Sequence, residues 1–158
     1  MKAAISLQDP LTVAATSVSR AAAVRLIEQA LAAIDGQEFE GSVAVVDASG
    51  TLRAFASTDG ARLLTVDLAI GKAWTAASLG YPTGLWNSLV TTPAFAPMAQ
   101  VPRAVAIGGG QPLFFSGRLV GAIGVSGGTT EQDETAANAA VTAAGFEARA
   151  PAKDTGHV

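Results

Sequence analysis

Lys72 is the residue whose setting most clearly suggests chemistry. It is the only charged side chain between Asp67 and Gly80, in the apolar stretch LAIGKAWTAASLG (68–80). An ammonium group in such a helix must reach solvent, pair with a carboxylate or give up its charge. Lys72 could therefore be an anion anchor or proton donor at the floor of a pocket, or it could simply extend past small neighbours to solvent or to an acid.

Three carboxylates, Glu131, Asp133 and Glu134, follow a glycine turn near the end of the chain, in VSGGTTEQDE (125–134). Glu131 or Asp133 could act as an acid or base if its side chain faces a cavity beside the turn. Carboxylates in the first turn of a helix are also favoured by the helix dipole alone. The backbone N–H groups of Gly127 and Gly128 could hold an anionic oxygen. Ser126 has no neighbouring histidine, so a serine-hydrolase triad is not predicted.

Aromatic and basic side chains complete the set of residues that could bind a ligand. Trp74, Tyr81 and Trp86 could form an aromatic wall near Lys72, although such residues also occur in plain cores and interfaces. Arg62 and Arg103 could each clamp a carboxylate through two parallel hydrogen bonds, or could lie on the surface.

The triple glycine at 108–110 is the other motif that could approach a ligand, through Gly109 and Gly110. Neither this motif nor SGG (126–128) is followed by Gly-Lys-Ser/Thr, and GAIGVSGG lacks the spacing and the parallel strand-helix-strand setting of a dinucleotide fingerprint. We therefore expect a strand-to-helix turn here and no nucleotide site.

The composition narrows the class of partner. A net charge of −3 and an isoelectric point near 5.0 do not supply the basic field that nucleic acid or anionic lipid requires. The chain has no cysteine, and its only histidine is the penultimate residue, His157. We expect no metal site, no membrane segment, no signal peptide and a cytoplasmic protein that binds a small molecule.

Periodicity predicts the elements that must position these residues. Helices are expected over 17–34, 67–80, 83–92 and 129–144, and strands over 42–47, 51–57, 104–107, 112–116 and 118–125. Because both obvious strand pairs are hairpins, we predict an α+β fold with an antiparallel sheet flanked by helices. The chain (1–158) is expected to form a single domain with its core over 17–146 and a frayed tail over 147–158. The proline-containing segment 93–102 could form a rim or lid.

Four segments together resemble the GlcG/HbpS family. They are SVAVVDASGTLRAFASTDGA (42–61), TVDLAIGKAWTAASLGYPT (65–83), IGGGQPL (107–113) and GRLVGAIGVSGGTTEQDETAANAA (117–140). The resemblance runs from about Ser17 to Ala144. It implies a profilin-like fold, a five-stranded antiparallel sheet between helices, and assembly into homo-oligomers.

The resemblance also implies two functions. Family members are linked to haem or iron binding and to tetrapyrrole metabolism, so the first hypothesis is a protein that binds haem or a small planar organic acid between helix and sheet or at a subunit interface. Haem would have to use a threonine, Tyr81, Met98 or no strong ligand, because the chain has no internal histidine and no cysteine. No cofactor is required otherwise.

The alternative is a cofactor-free lyase of the hydroxylaminobenzoate type, acting on a small aromatic or hydroxy acid. In that case Lys72 with Glu131 or Asp133 would shuttle protons, and Arg62 or Arg103 would bind the carboxylate.

Overall fold

The computed structural model describes residues 13–147, which form four α-helices and four strands. The α-helices are α1 (Arg20–Gly36), α2 (Leu63–Leu79), α3 (Thr83–Val90) and α4 (Thr130–Ala143). The strands are β1 (Ser42–Asp47), β2 (Leu52–Ser57), β3 (Gly110–Phe115) and β4 (Arg118–Ser126). A short 3-10 helix spans Ala96–Gln100.

Side-chain caps and a glycine turn determine several of these boundaries. The hydroxyl of Ser19 accepts a hydrogen bond from the N–H of Ala22 and starts α1. Thr129 and Gln132 form a reciprocal capping box at the start of α4. The β1–β2 hairpin turns at Gly50, whose positive φ of 80° favours glycine.

The sheet is antiparallel with strand order β2-β1-β4-β3. One face packs against α1 and α4 through larger side chains such as Val43 and Ile123. The other face packs against α2 through small residues, including Ala44 and Ala122. Gly124 is among them, and a Cβ there would overlap the carbonyl oxygen of Ala69. The helix α2 therefore lies very close to the sheet.

The prediction of a five-stranded sheet is wrong, because residues 104–107 form no strand. Side chains of α2 and α3 bind backbone groups of this segment instead. A β-rich composition alone therefore did not determine a ladder here, since the polar backbone groups found side-chain partners.

The hydroxyl of Thr75 accepts the N–H of Val105 at 2.9 Å. The amide of Asn87 donates to the carbonyl oxygen of Ala106 at 2.6 Å, and the hydroxyl of Thr83 donates to that of Ile107 at 2.6 Å. These bonds hold the segment against α2 and α3 without pairing it to a strand.

The ends of the described chain differ in part from expectation. Glu147, the first residue of the predicted frayed tail, exchanges two backbone hydrogen bonds with Phe114 on β3, at 2.9 and 3.0 Å. Residues 1–12 and 148–158 lie outside the described residues, and with them His157 and most of that tail. Within residues 13–147, no helix is both long and apolar enough to cross a membrane.

Candidate functional site

The structure separates the predicted site residues into three places: a buried ion pair, an aromatic cavity and a polar cavity. Lys72 forms the ion pair. Its side chain is 1% exposed, and its Nζ donates to Oδ2 of Asp133 at 2.7 Å and to the carbonyl oxygen of Val125 at 2.9 Å. Pairing with an acid is therefore the alternative that the structure shows. Lys72 contacts the 125–133 region directly, so no ligand-sized space lies between them.

Asp133 is held from both sides. Its other oxygen, Oδ1, accepts the N–H of Gly128 at 3.0 Å, which ties the glycine turn to α4. Desolvation by burial raises the pKa of the Asp133 carboxyl, an effect that Lys72 and the backbone amides of Gly128 and Gly127 oppose. The turn predicted to hold an anion thus already binds one, the carboxylate of Asp133.

The triple glycine makes room for this pair. A Cβ at Gly109 would lie 3.1 Å from Nζ of Lys72 and 2.8 Å from Cβ of Asp133, and its φ of 112° also favours glycine. A Cβ at Gly110 would lie 2.5 Å from the carbonyl oxygen of Lys72 and 2.6 Å from Cγ2 of Thr83. Gly109 and Gly110 were predicted to lie against a ligand. In the structure both lie against other groups of the protein.

The aromatic cavity lies at the C-terminal half of α2, between α2, α3 and the 3-10 helix. It measures about 170 Å³ and is mostly apolar; the lining residues are Trp74, Thr75, Ser78, Leu79, Trp86, Met98, Val101 and Ala104, of which Thr75 and Ser78 carry hydroxyl groups. Both tryptophans of the chain thus lie in its wall, as does Met98.

Trp86 contributes an aromatic contact and an unpaired N–H group to this region. Its ring packs in a T-shaped arrangement on Phe95, with centroids 6.2 Å apart. It is buried, and its indole N–H has no hydrogen-bond acceptor among the described residues. On the outer side of the cavity, Phe95, Met98 and Val101 are all exposed.

Arg103 stacks on Trp74, one of the wall residues of this cavity, without lining the cavity itself. Its Cζ is 5.0 Å from the ring centroid of Trp74, which is a cation–π contact. Its φ of 76° places a non-glycine residue in the left-handed region, a conformation that costs free energy and often occurs at ligand sites. The Arg103 side chain also lines a neighbouring cavity of about 360 Å³ with Asp67 and Val105.

Arg62 lies elsewhere, immediately before α2. It lines a polar cavity of about 340 Å³ with Glu40, Thr65 and Gly127. The structure therefore brings Arg62 and Gly127 together and keeps both apart from the aromatic cavity. Arg62 and Arg103 thus lie in different parts of the protein.

The remaining predicted residues join none of these groups. Tyr81 is half exposed, Glu131 is exposed, and Ser126 is buried at the end of β4. Asp133 and Lys72 line none of the cavities described above.

Sequence reasoning did not predict the hydrogen bonds by which Thr75, Thr83 and Asn87 hold residues 105–110. Thr83 donates to Ile107 and accepts the N–H of Gly110 at 2.9 Å, and Thr75 accepts that of Val105. The only sequence signal is a polar residue in an otherwise apolar helix, which also describes a plain surface position. Within residues 13–147, no group of three or more His, Asp or Glu side chains could hold a metal ion.

Comparison with known proteins gives a consistent result. Residues 18–142 match the family described as "Haem degrading protein HbpS-like". An uncharacterised 15.0 kDa protein of Citrobacter freundii is 36% identical over 100 residues, covering 61% of this chain and 70% of that protein. The corrinoid adenosyltransferase PduO of the same organism is 35% identical over 104 residues, covering 64% of this chain and 31% of PduO. The chain thus spans about a third of PduO.

A solved structure, described as the PduOC:heme complex, has a TM-score of 0.78 and 29% identity. The alignment covers 85% of this chain and 99% of that one. The similarity therefore extends over nearly all of the haem-bound relative.

Proposed function

The chain belongs to the HbpS-like family, and from this premise we propose that it is a small-ligand-binding protein whose ligand is haem or a related planar tetrapyrrole, bound at the aromatic cavity. The haem-bound relative supports the ligand class, because it is 29% identical and nearly all of it aligns with this chain. The conserved fold alone would not assign the ligand, since one fold hosts many functions.

The observation that carries the proposal is the composition of the cavity wall. A wall that is apolar apart from Thr75 and Ser78, and that includes Trp74, Trp86 and Met98, suits a flat, apolar macrocycle. Arg103, exposed beside Trp74, would pair with a carboxylate on the edge of such a ligand. A mostly apolar wall with a cation beside it matches an amphiphilic planar molecule.

The residues present fit haem in part. Met98 would offer its thioether to the iron, a ligand type that haem proteins use, and no histidine or cysteine lies among residues 13–147. The cavity of about 170 Å³ is smaller than the ~300–1,000 Å³ of ordinary ligand pockets. A macrocycle would therefore insert one edge and rest the remainder on the exposed side chains of Phe95 and Val101.

The lyase alternative gains no support. Lys72 and Asp133 bind each other away from the cavities, Glu131 is exposed, and the relatives reported above are not described as lyases. A homo-oligomer, in which a second subunit could cover the exposed side chains, stays a prediction that size-exclusion chromatography with light scattering can test.

Titration with hemin tests the proposed function. The chain has two tryptophans, both in the cavity wall, so quenching of intrinsic tryptophan fluorescence reports on this cavity. We expect a saturable shift of the Soret band and quenching with the same midpoint. Absence of saturation in both signals would overturn the proposal.

Variants separate coordination from apolar binding. Met98→Leu should weaken hemin binding and shift its Soret band while leaving the affinity for iron-free protoporphyrin IX nearly unchanged. Phe115→Leu is the matched control, because Phe115 is an exposed apolar residue on β3 that does not line the cavity. Hemin binding that is unaffected by Met98→Leu would contradict the role of the thioether.

A further inference from the structure

Residues 93–103, here called the lid segment, form the outer wall of the aromatic cavity. Met98 and Val101 line the cavity from this side, and every residue of the segment is exposed. Its backbone hydrogen bonds are local: the N–H of Met98 donates to Phe95, that of Val101 to Met98, and that of Ala104 to Val101. The N–H groups of Phe95 and Ala96 donate to the adjacent carbonyl oxygen of Thr92, so the backbone hydrogen bonds tie the segment only to its immediate chain neighbours.

Two aromatic contacts hold the segment near its ends. At one end Phe95 packs on Trp86, and at the other the guanidinium of Arg103 stacks on Trp74. Beyond Arg103 the chain is fixed, because the N–H of Val105 donates to the hydroxyl of Thr75. A hinge would therefore lie at Arg103 and Ala104, between the segment that moves and the anchored residue Val105.

Arg103 has the geometry of such a hinge residue. Its φ of 76° is unfavourable for a residue with a side chain, and the stacking on Trp74 is the contact that accompanies it. The chain around Arg103 also separates two cavities. Ala104 lines the aromatic cavity, and Arg103 and Val105 line the neighbouring cavity of about 360 Å³. Movement of this wall would enlarge the space beside Trp74.

From these observations we infer that residues 93–103 are a lid over the aromatic cavity and that Arg103 is its positioning residue, a latch that holds the closed state by stacking on Trp74. This inference rests on the proposed function for its purpose: a planar ligand would displace the guanidinium from the indole face, and its carboxylate would become the new partner of Arg103. The opening and closing of the lid can be measured without any ligand.

Hydrogen exchange of the ligand-free protein, followed by mass spectrometry, tests the latch. An exposed cation–π contact changes an open-to-closed ratio by about two- to fivefold. We therefore expect exchange in residues 93–102 to accelerate about two- to fivefold in Arg103→Gln, in Arg103→Gly and in Trp74→Leu, which breaks the contact from the other side. Arg103→Lys, which keeps a cation, should restore most of the protection.

Arg103→Gly distinguishes a latch from a residue that only stabilises the fold, because the two roles predict different melting temperatures. Glycine relieves the left-handed backbone, so its melting temperature should stay equal to that of the wild type or rise while the lid opens. Ser116→Gly is the control, because Ser116 also has a positive φ, of 49°, but lies in the β3–β4 turn. It should leave exchange in the lid unchanged.

Two results would overturn the latch. One is equal exchange of residues 93–102 in the wild type, Arg103→Gln and Trp74→Leu. The other is faster exchange throughout the sheet in Arg103→Gln, which would assign Arg103 to global stability. Since no ligand is present, neither result depends on whether hemin binds.

Discussion

The Nζ of Lys72 lies 2.7 Å from Oδ2 of Asp133 and so joins the middle of α2 to the first turn of α4, past the ends of β3 and β4. The two helices pack on opposite faces of the sheet. The side chains of Lys72 and Asp133 are only 1% and 4% exposed, so each charge is compensated mainly by the other. Several predictions of stability depend on this pair or on its surroundings.

Removal of one partner should be far more harmful than removal of both. Lys72→Met leaves the carboxylate of Asp133 buried without its cation, and we expect a loss of about 3–5 kcal/mol in the free energy of unfolding. The double variant Lys72→Met/Asp133→Leu should recover most of that loss. Urea unfolding of both single variants and the double variant measures the coupling; additive losses would contradict a paired role.

The stability contributed by Asp133 should decrease with rising pH. Burial raises the pKa of the Asp133 carboxyl above the ordinary 3.8. At a pH between 3.8 and the raised pKa, the native state therefore keeps a proton that the unfolded state has lost. The free energy of unfolding of the wild type minus that of Asp133→Asn should therefore fall as pH rises from 3.8 to the raised value, and then level off. Urea unfolding on both sides of pH 3.8 checks the sign, and a difference that rises with pH would contradict it.

Gly109→Ala should be strongly destabilising. Its Cβ would lie 2.6 Å from the carbonyl oxygen of Val125 and 2.8 Å from Cβ of Asp133, at a positive φ. Strain and overpacking together should cost roughly 2–4 kcal/mol. Gly36→Ala is the control, since a Cβ at the end of α1 meets nothing within 4 Å. Thermal melts that shift equally for both variants would exclude this explanation.

Thr83→Val should loosen the segment that takes the place of a fifth strand. The variant keeps the shape of the side chain but removes the partner of the N–H of Gly110 and of the carbonyl oxygen of Ile107. A buried donor left unpaired costs about 1–3 kcal/mol. Thr91→Val removes an exposed, local hydrogen bond to Ser88 and should change the free energy of unfolding much less. Denaturation of both variants in urea makes the comparison.

Local patterns in the sequence predicted most of the secondary structure and the family. The amphipathic period of α1, the turn at Gly50 and the capping box at Thr129 depend on residues close together in the chain, so they could be recognised without the fold. The motifs that resemble the GlcG/HbpS family were sufficient for the same reason, and the match over residues 18–142 confirms that resemblance.

The sequence alone determined that Lys72 must reach solvent, pair with an acid or give up its charge, that Trp74 and Trp86 are close to it in the chain, and that the sheet is antiparallel. Only the tertiary structure decided that the partner is Asp133, 61 residues away, and that Arg103 rather than Arg62 stacks on Trp74. It also decided that residues 104–107 bind side chains of α2 and α3 instead of a strand. The physical reason is that burial, ion pairing and backbone hydrogen bonding depend on which distant elements pack together, and local spacing carries no information about that choice.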